Sequence, residues 1–255
     1  MISNIKNLRM LHSTTRQLMV ATVAVLLLPL LSMHIPSRSA NALSPLNGAW
    51  QIEEGDHQQL LLIADGYCML SAFNIQDKKF KGSRGGSFTV TDKEIVLKTE
   101  FNSNDKSAVG KINRYACQVE GQTLITNLTG SRQEWKRVDD GKSLLAGTWR
   151  ITQRKQDDKM VEMPLRARRT LKLLTGNYFQ WAAINIETGE FAGTGGGKYT
   201  FENGKYTEHI SFFSRDASRV GMSLSFDDKL EDGNWIHTGL SSKGDPIYEI
   251  WSRMK

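Results

Sequence analysis

The chain has 255 residues, 33 Lys and Arg against 27 Asp and Glu, a net charge of +6, 39% apolar residues and two cysteines. That length allows one large domain or two small ones. The cysteine content excludes a densely disulfide-bonded scaffold, and no Cys/His spacing suggests zinc.

The chain opens on a segment to be set apart before any reading of the fold. Lys6, Arg9 and Arg16 precede an uncharged, mostly apolar run from Leu18 to Met33, and Ala40 and Ala42 flank Asn41 in the small-x-small pattern of a cleavage site. The run carries Pro29 and is shorter than the ~20 apolar residues of a spanning helix, which disfavours an uncleaved anchor. Residues 1–42 are therefore read as a signal peptide cut after Ala42, and the protein as secreted or periplasmic, meeting a membrane only during export. The leader holds Lys6, Arg9, Arg16 and Arg38 and no acid, so four of the six net positive charges leave with it, and the remainder is near +2. A nucleic-acid partner loses its electrostatic support.

The rest of the chain is a duplication. Leu46, Gly48, Trp50 and Ile52 recur as Leu145, Gly147, Trp149 and Ile151. Further on, an offset of 111 residues aligns a long stretch without gaps, setting Tyr67 on Tyr178, Phe80 on Phe191, Gly85 and Gly86 on Gly196 and Gly197, Phe88 on Tyr199, and Phe101 on Phe212. The copies end alike, on Glu134, Trp135 and Arg137 and on Glu249, Trp251 and Arg253. The domains are 43–138, a polar linker 139–144, and 145–255; the linker is short enough for the units to touch. Cys68 and Cys117 both fall in the first unit, where either a disulfide or two buried free thiols fits.

Within each copy the hydrophobic period is two. Ile95, Leu97, Thr99 and Phe101 alternate with polar residues, as do Tyr206, Glu208, Ile210 and Phe212. Turn signals recur about every ten residues, among them Asn203–Gly204 and Asp232–Gly233, which suit type I′ hairpins. Eight strands are predicted in the second copy, at about 148–153, 169–174, 177–184, 197–202, 205–213, 220–226, 234–240 and 247–254. The predicted fold is all-β: two tandem antiparallel up-and-down barrels of about eight strands each, closed so that no edge is exposed. The glycines at 193 and 195–197 lack the strand-to-helix context of a phosphate loop and predict a bulge or bend. Between Trp149 and Tyr178 the second copy is 12 residues longer than the first. This insertion, charged at both ends, reads either as a lid whose arginines favour an anionic ligand or, with more support, as a solvated loop.

Gly48 with Trp50, Gly147 with Trp149, and the closing Arg137 and Arg253 resemble the lipocalin-like (calycin) superfamily, in particular uncharacterised secreted lipocalin-like proteins of bacteria. The resemblance covers essentially all of the chain after the leader. It implies that each tryptophan plugs one barrel end and that each arginine lies across its ring. It implies a fold and no activity.

Glu208 is the most informative position, because its partner in the first copy is Leu97. An interior carboxylate must be paired, and His237 is one candidate partner. In a functional reading Glu208 and His237 anchor a ligand between Trp181, Tyr199, Tyr206 and Trp235. The plainer reading, and the better supported one, is a satisfied hydrogen bond in a filled barrel. No nucleophile motif, metal ligand set or cofactor is indicated. The preferred function is a non-catalytic carrier of a small, partly apolar ligand in the second barrel. The alternative is an interaction or structural protein with filled barrels, acting on a protein partner through its loops or the inter-barrel groove. An extracytoplasmic enzyme using Glu208 and His237 has the least support.

Overall fold

The computed structural model describes residues 45–254 apart from Asp92, Ser242 and Lys243, so the expected leader lies outside the described residues. The first copy forms β1 (Gly48–Glu54), β2 (His57–Ala64), β3 (Tyr67–Asn74), β4 (Lys79–Val90), β5 (Glu94–Asn102), β6 (Ile112–Glu120), β7 (Thr123–Thr126) and β8 (Gln133–Asp139). Each strand pairs antiparallel with the next, and β8 closes on β1.

The second copy forms β9 (Gly147–Gln156), β10 (Lys159–Glu162), β11 (Arg168–Leu174), β12 (Tyr178–Asn185), β13 (Phe191–Glu202), β14 (Lys205–Phe213), β15 (Ser223–Glu231), β16 (Asn234–Leu240) and β17 (Pro246–Arg253). Here β17 closes on β9, and β10 is an extra strand on the far half of β9. Both units are thus closed, antiparallel up-and-down barrels.

The turn chemistry follows the sequence. Asn203 and Gly204 both have positive φ, 51° and 76°, between paired Glu202 and Lys205, as a type I′ hairpin requires. The glycine runs are bulges: register shifts fall between Gly85 and Gly86 in β4 and between Gly196 and Gly197 in β13. A Cβ on Gly86 or Gly197 would sit 2.0 Å from a carbonyl oxygen of the neighbouring strand.

The barrels share a core. Leu60, Leu62, Tyr67 and Phe101 of the first pack with their counterparts Leu171, Leu173, Tyr178 and Phe212 of the second in one buried cluster. The rings interleave with approximate two-fold symmetry. Phe80 stacks on Phe191 at 6.5 Å; the related pairs Phe80–Phe212 and Phe101–Phe191 lie at 6.3 and 6.1 Å; Phe73 lies 4.7 Å from Phe212. Polar contacts frame this core. Asp139 accepts from Thr175 Oγ1 and from the backbone amides of Gly176 and Asn177, while Gln180 Nε2 donates to Ser83 Oγ at 2.8 Å.

One end of each barrel is plugged as the resemblance implies. Arg137 lies 3.9 Å over the Trp50 ring and Arg253 4.3 Å over Trp149, and both guanidiniums donate to strand-end carbonyls. Trp50 and Trp149 each donate Nε1–H to the carbonyl four residues earlier, Leu46 and Leu145, at 2.8 Å.

Candidate functional site

The two interiors diverge. Leu61, Ile63, Leu70, Phe88, Ile95, Leu97 and Leu124 pack together inside the first barrel. Cys68 belongs to that cluster and Cys117 packs against it, and both are free thiols. No disulfide joins them, so of the two alternatives open from sequence the structure takes the free thiols. Burial pushes Cys68 up to about 12 and Cys117 up to about 11, so neither is a thiolate at neutral pH.

The second barrel holds charges where the first holds apolar or neutral side chains. Lys172 replaces Leu61, Glu208 replaces Leu97, Asp228 replaces Cys117 and His237 replaces Thr126. All four are buried. Lys172 Nζ donates to Glu208 Oε1 at 2.7 Å, and Tyr206 Oη donates to the same oxygen at 3.1 Å. This bond crosses the lumen from β11 to β14. His237 Nδ1 stands 2.9 and 3.0 Å from the two Asp228 oxygens, and Trp235 Nε1 donates to Asp228 at 2.7 Å. A carboxylate only accepts, so the Nδ1 proton belongs to this bond and Nε2 is left for another partner. At the rim Arg154 Nε and Nη2 donate to Glu249 Oε1 at 2.9 and 2.6 Å, and Trp251 Nε1 donates to Oε2 at 3.0 Å. Each carboxylate therefore has one nitrogen base or cation and one aromatic donor, which is what keeps a buried charge tolerable.

Above the Lys172–Glu208 bond lies a cavity of about 460 Å³. Its walls are Trp181, Ile210, Phe213, Leu224, Phe226 and Ile247, and Lys172, Glu208, His237 and Glu249 also line it. Trp181 and Phe213 meet edge to face at 5.4 Å over Gly195, where a Cβ would lie 2.8 Å from each ring. In the first barrel the position of Gly195 is Arg84, whose guanidinium donates to the Leu128 carbonyl.

The expected site residues separate into two groups. Trp181, Glu208 and His237 line the cavity. Tyr199, Tyr206 and Trp235 do not; they form a packed block with Trp149 at the plugged end, with Tyr199–Tyr206 at 5.4 Å and Trp149–Trp235 at 5.8 Å. Tyr199 Oη donates to the Thr175 carbonyl at 2.8 Å. Alternation identifies an inward side chain but not its height along the barrel axis. His237 pairs with Asp228 and not with Glu208, whose cation is Lys172. Sequence reasoning misses Lys172 and Asp228, although setting Lys172 against Leu61 in the 111-residue register carries the same signal that marks Glu208.

The insertion is a hairpin. β9 continues to Gln156, turns at Asp157 and Asp158 with φ of 45° and 62°, and returns as β10. β10 is exposed throughout, and of this arm only Arg154 and Lys155 line the cavity. Among the described residues no group of three or more His, Cys, Asp and Glu could hold a metal ion.

Buried neutral acids give the protein an alkaline limit. Burial raises Tyr199 to about 12 and, with Glu208 adding to it, holds Tyr206 well above the ordinary value. Unfolding frees these groups and Cys68 to ionise at 9 to 10, so above that range ionisation lowers the free energy of the unfolded chain while the folded chain retains its protons. Stability should hold below pH 9 and fall steadily toward pH 12, followed as the urea midpoint against pH. A midpoint unchanged across that window would refute the burial of these groups.

No family model matches the chain, and no curated protein matches it. Among solved structures it is similar to a lipocalin-like protein from Bacteroides uniformis, at 14% sequence identity and a TM-score of 0.32, over 43% of this chain and 98% of that one.

Proposed function

We propose that this chain is an exported, non-catalytic binding protein that carries a small, partly apolar ligand in its second barrel. The observation that supports this most is the contrast between two copies of one scaffold. In the first copy Leu61 and Leu97 pack in an apolar cluster, and at the same positions the second has the Lys172–Glu208 pair bordering a cavity of about 460 Å³. That volume falls within the ~300–1,000 Å³ usual for small-molecule sites, and apolar walls around a few fixed polar groups are their usual composition. The first barrel then serves as packing partner and support.

Native mass spectrometry of the protein purified gently from its own host tests this reading. A reproducible extra mass is expected, lost when Lys172→Leu and Glu208→Leu together copy the first barrel. A bare polypeptide mass in repeated preparations, unchanged by added host extract, would refute the carrier and favour an interaction protein.

A further inference from the structure

Replacing a buried ion pair by apolar side chains of similar volume is often neutral or stabilising. The first barrel is built that way: Leu61 and Leu97 hold the positions of Lys172 and Glu208 within a packed interior. The fold therefore does not require the pair. Nor is Lys172 a free cation waiting for an anionic ligand. Glu208 already neutralises it at 2.7 Å, and the rings of Phe179, Tyr206, Trp235 and Trp251 stand 5.1 to 5.9 Å from Nζ. What the pair offers is a primary amine and a proton carrier in contact, bordering an apolar cavity. Those are the two groups that condensation with a carbonyl compound uses.

We propose that Lys172 holds an aldehyde ligand of the second barrel as a reversible imine, with Glu208 as proton carrier and counter-ion. This rests on the carrier reading above and specifies its ligand class. Glu208 takes one proton from the Lys172 ammonium. The freed Nζ lone pair forms a bond to the carbonyl carbon while the C=O π pair moves onto oxygen. That oxygen takes a second proton from nitrogen, giving a carbinolamine. Glu208 then returns its proton to the hydroxyl, which leaves as water while the nitrogen lone pair closes the C=N bond. The products are a protonated imine beside the Glu208 carboxylate and one water, with no oxidant or reductant. The rings around Nζ favour the iminium charge. The unpaired Glu208 Oε2 and the walls of Trp181, Ile210 and Phe213 border the space for an aryl or alkenyl tail.

The test incubates the full chain with trans-cinnamaldehyde and sodium cyanoborohydride and locates the reduced adduct by peptide mass spectrometry. In parallel, cinnamyl alcohol, which cannot form an imine, is titrated against tryptophan fluorescence. Lys172 is expected to be labelled about a hundredfold faster than any exposed lysine, with that advantage lost in urea. Glu208→Gln should slow labelling at saturating aldehyde at least tenfold, on the scale of a lost acid–base group. The variant carrying Lys172→Leu and Glu208→Leu together should show surface labelling only. Alcohol binding with adducts spread evenly over exposed lysines would overturn the imine and leave the carrier standing. Failure of both compounds to bind would overturn both.

Discussion

Replacing Lys172 by leucine alone should destabilise the protein by about 3–5 kcal/mol, whereas replacing Lys172 and Glu208 together by leucine should cost little or stabilise it. The single change strands Glu208, which is 5% exposed and loses the Lys172 ammonium, keeping Tyr206 as its one remaining hydrogen-bond donor among the described residues. The double change reproduces the Leu61 and Leu97 interior of the first barrel. Urea unfolding with an unchanged m-value measures both, and adding the Glu208→Leu single completes a cycle that isolates the pair's interaction. The deciding comparison is between variants. Equal losses for single and double variants would mean that the two copies do not share an interchangeable interior. The single variant also loses the amine that the imine requires, so stability must be measured alongside labelling.

Phe212→Ala should cost about 3–5 kcal/mol, in the range for truncating a buried ring, and its effect should reach the whole molecule. Phe212 is 1% exposed, lies 4.7 Å from Phe73 and 6.3 Å from Phe80, and belongs to β14, the strand that also carries Glu208. Because one cluster spans both barrels, the parent protein should unfold in a single cooperative transition with coincident curves from fluorescence and circular dichroism. The variant should shift that transition to lower urea without splitting it. Two resolved transitions in the parent protein would show that the barrels are independent units.

Much of this is legible in the sequence, for stated reasons. The duplication exposes the barrels because repeated glycines and aromatics answer to geometric needs: bulges at Gly86 and Gly197, plugs at Trp50 and Trp149, shared rings at Phe101 and Phe212. Glu208 stands out because β14 alternates cleanly. β11 does not: Leu171 and Leu173 face outward, yet both are fully buried against the first barrel. A lysine between two leucines then reads as the solvent-facing member of an ordinary half-buried strand, when here the outward face is the apolar one. Where both faces of a strand are covered, period two no longer tells inside from outside. The hairpin arm reads as a loop because Asp157 and Asp158 both adopt positive φ without the glycine that commonly marks such a turn.

The shared core joins the same surface of each copy, ring for corresponding ring, as in an isologous dimer. A single-barrel ancestor with this surface would have met its twin by diffusion, and any change to its lumen would have appeared in both subunits at once. Joining the copies through a few residues near Asp140 replaces that encounter with a high effective concentration and gives each lumen its own genetic address. One half could then keep a leucine interior and anchor the pair, leaving the other free to accumulate charges that a symmetric assembly would have had to accommodate twice.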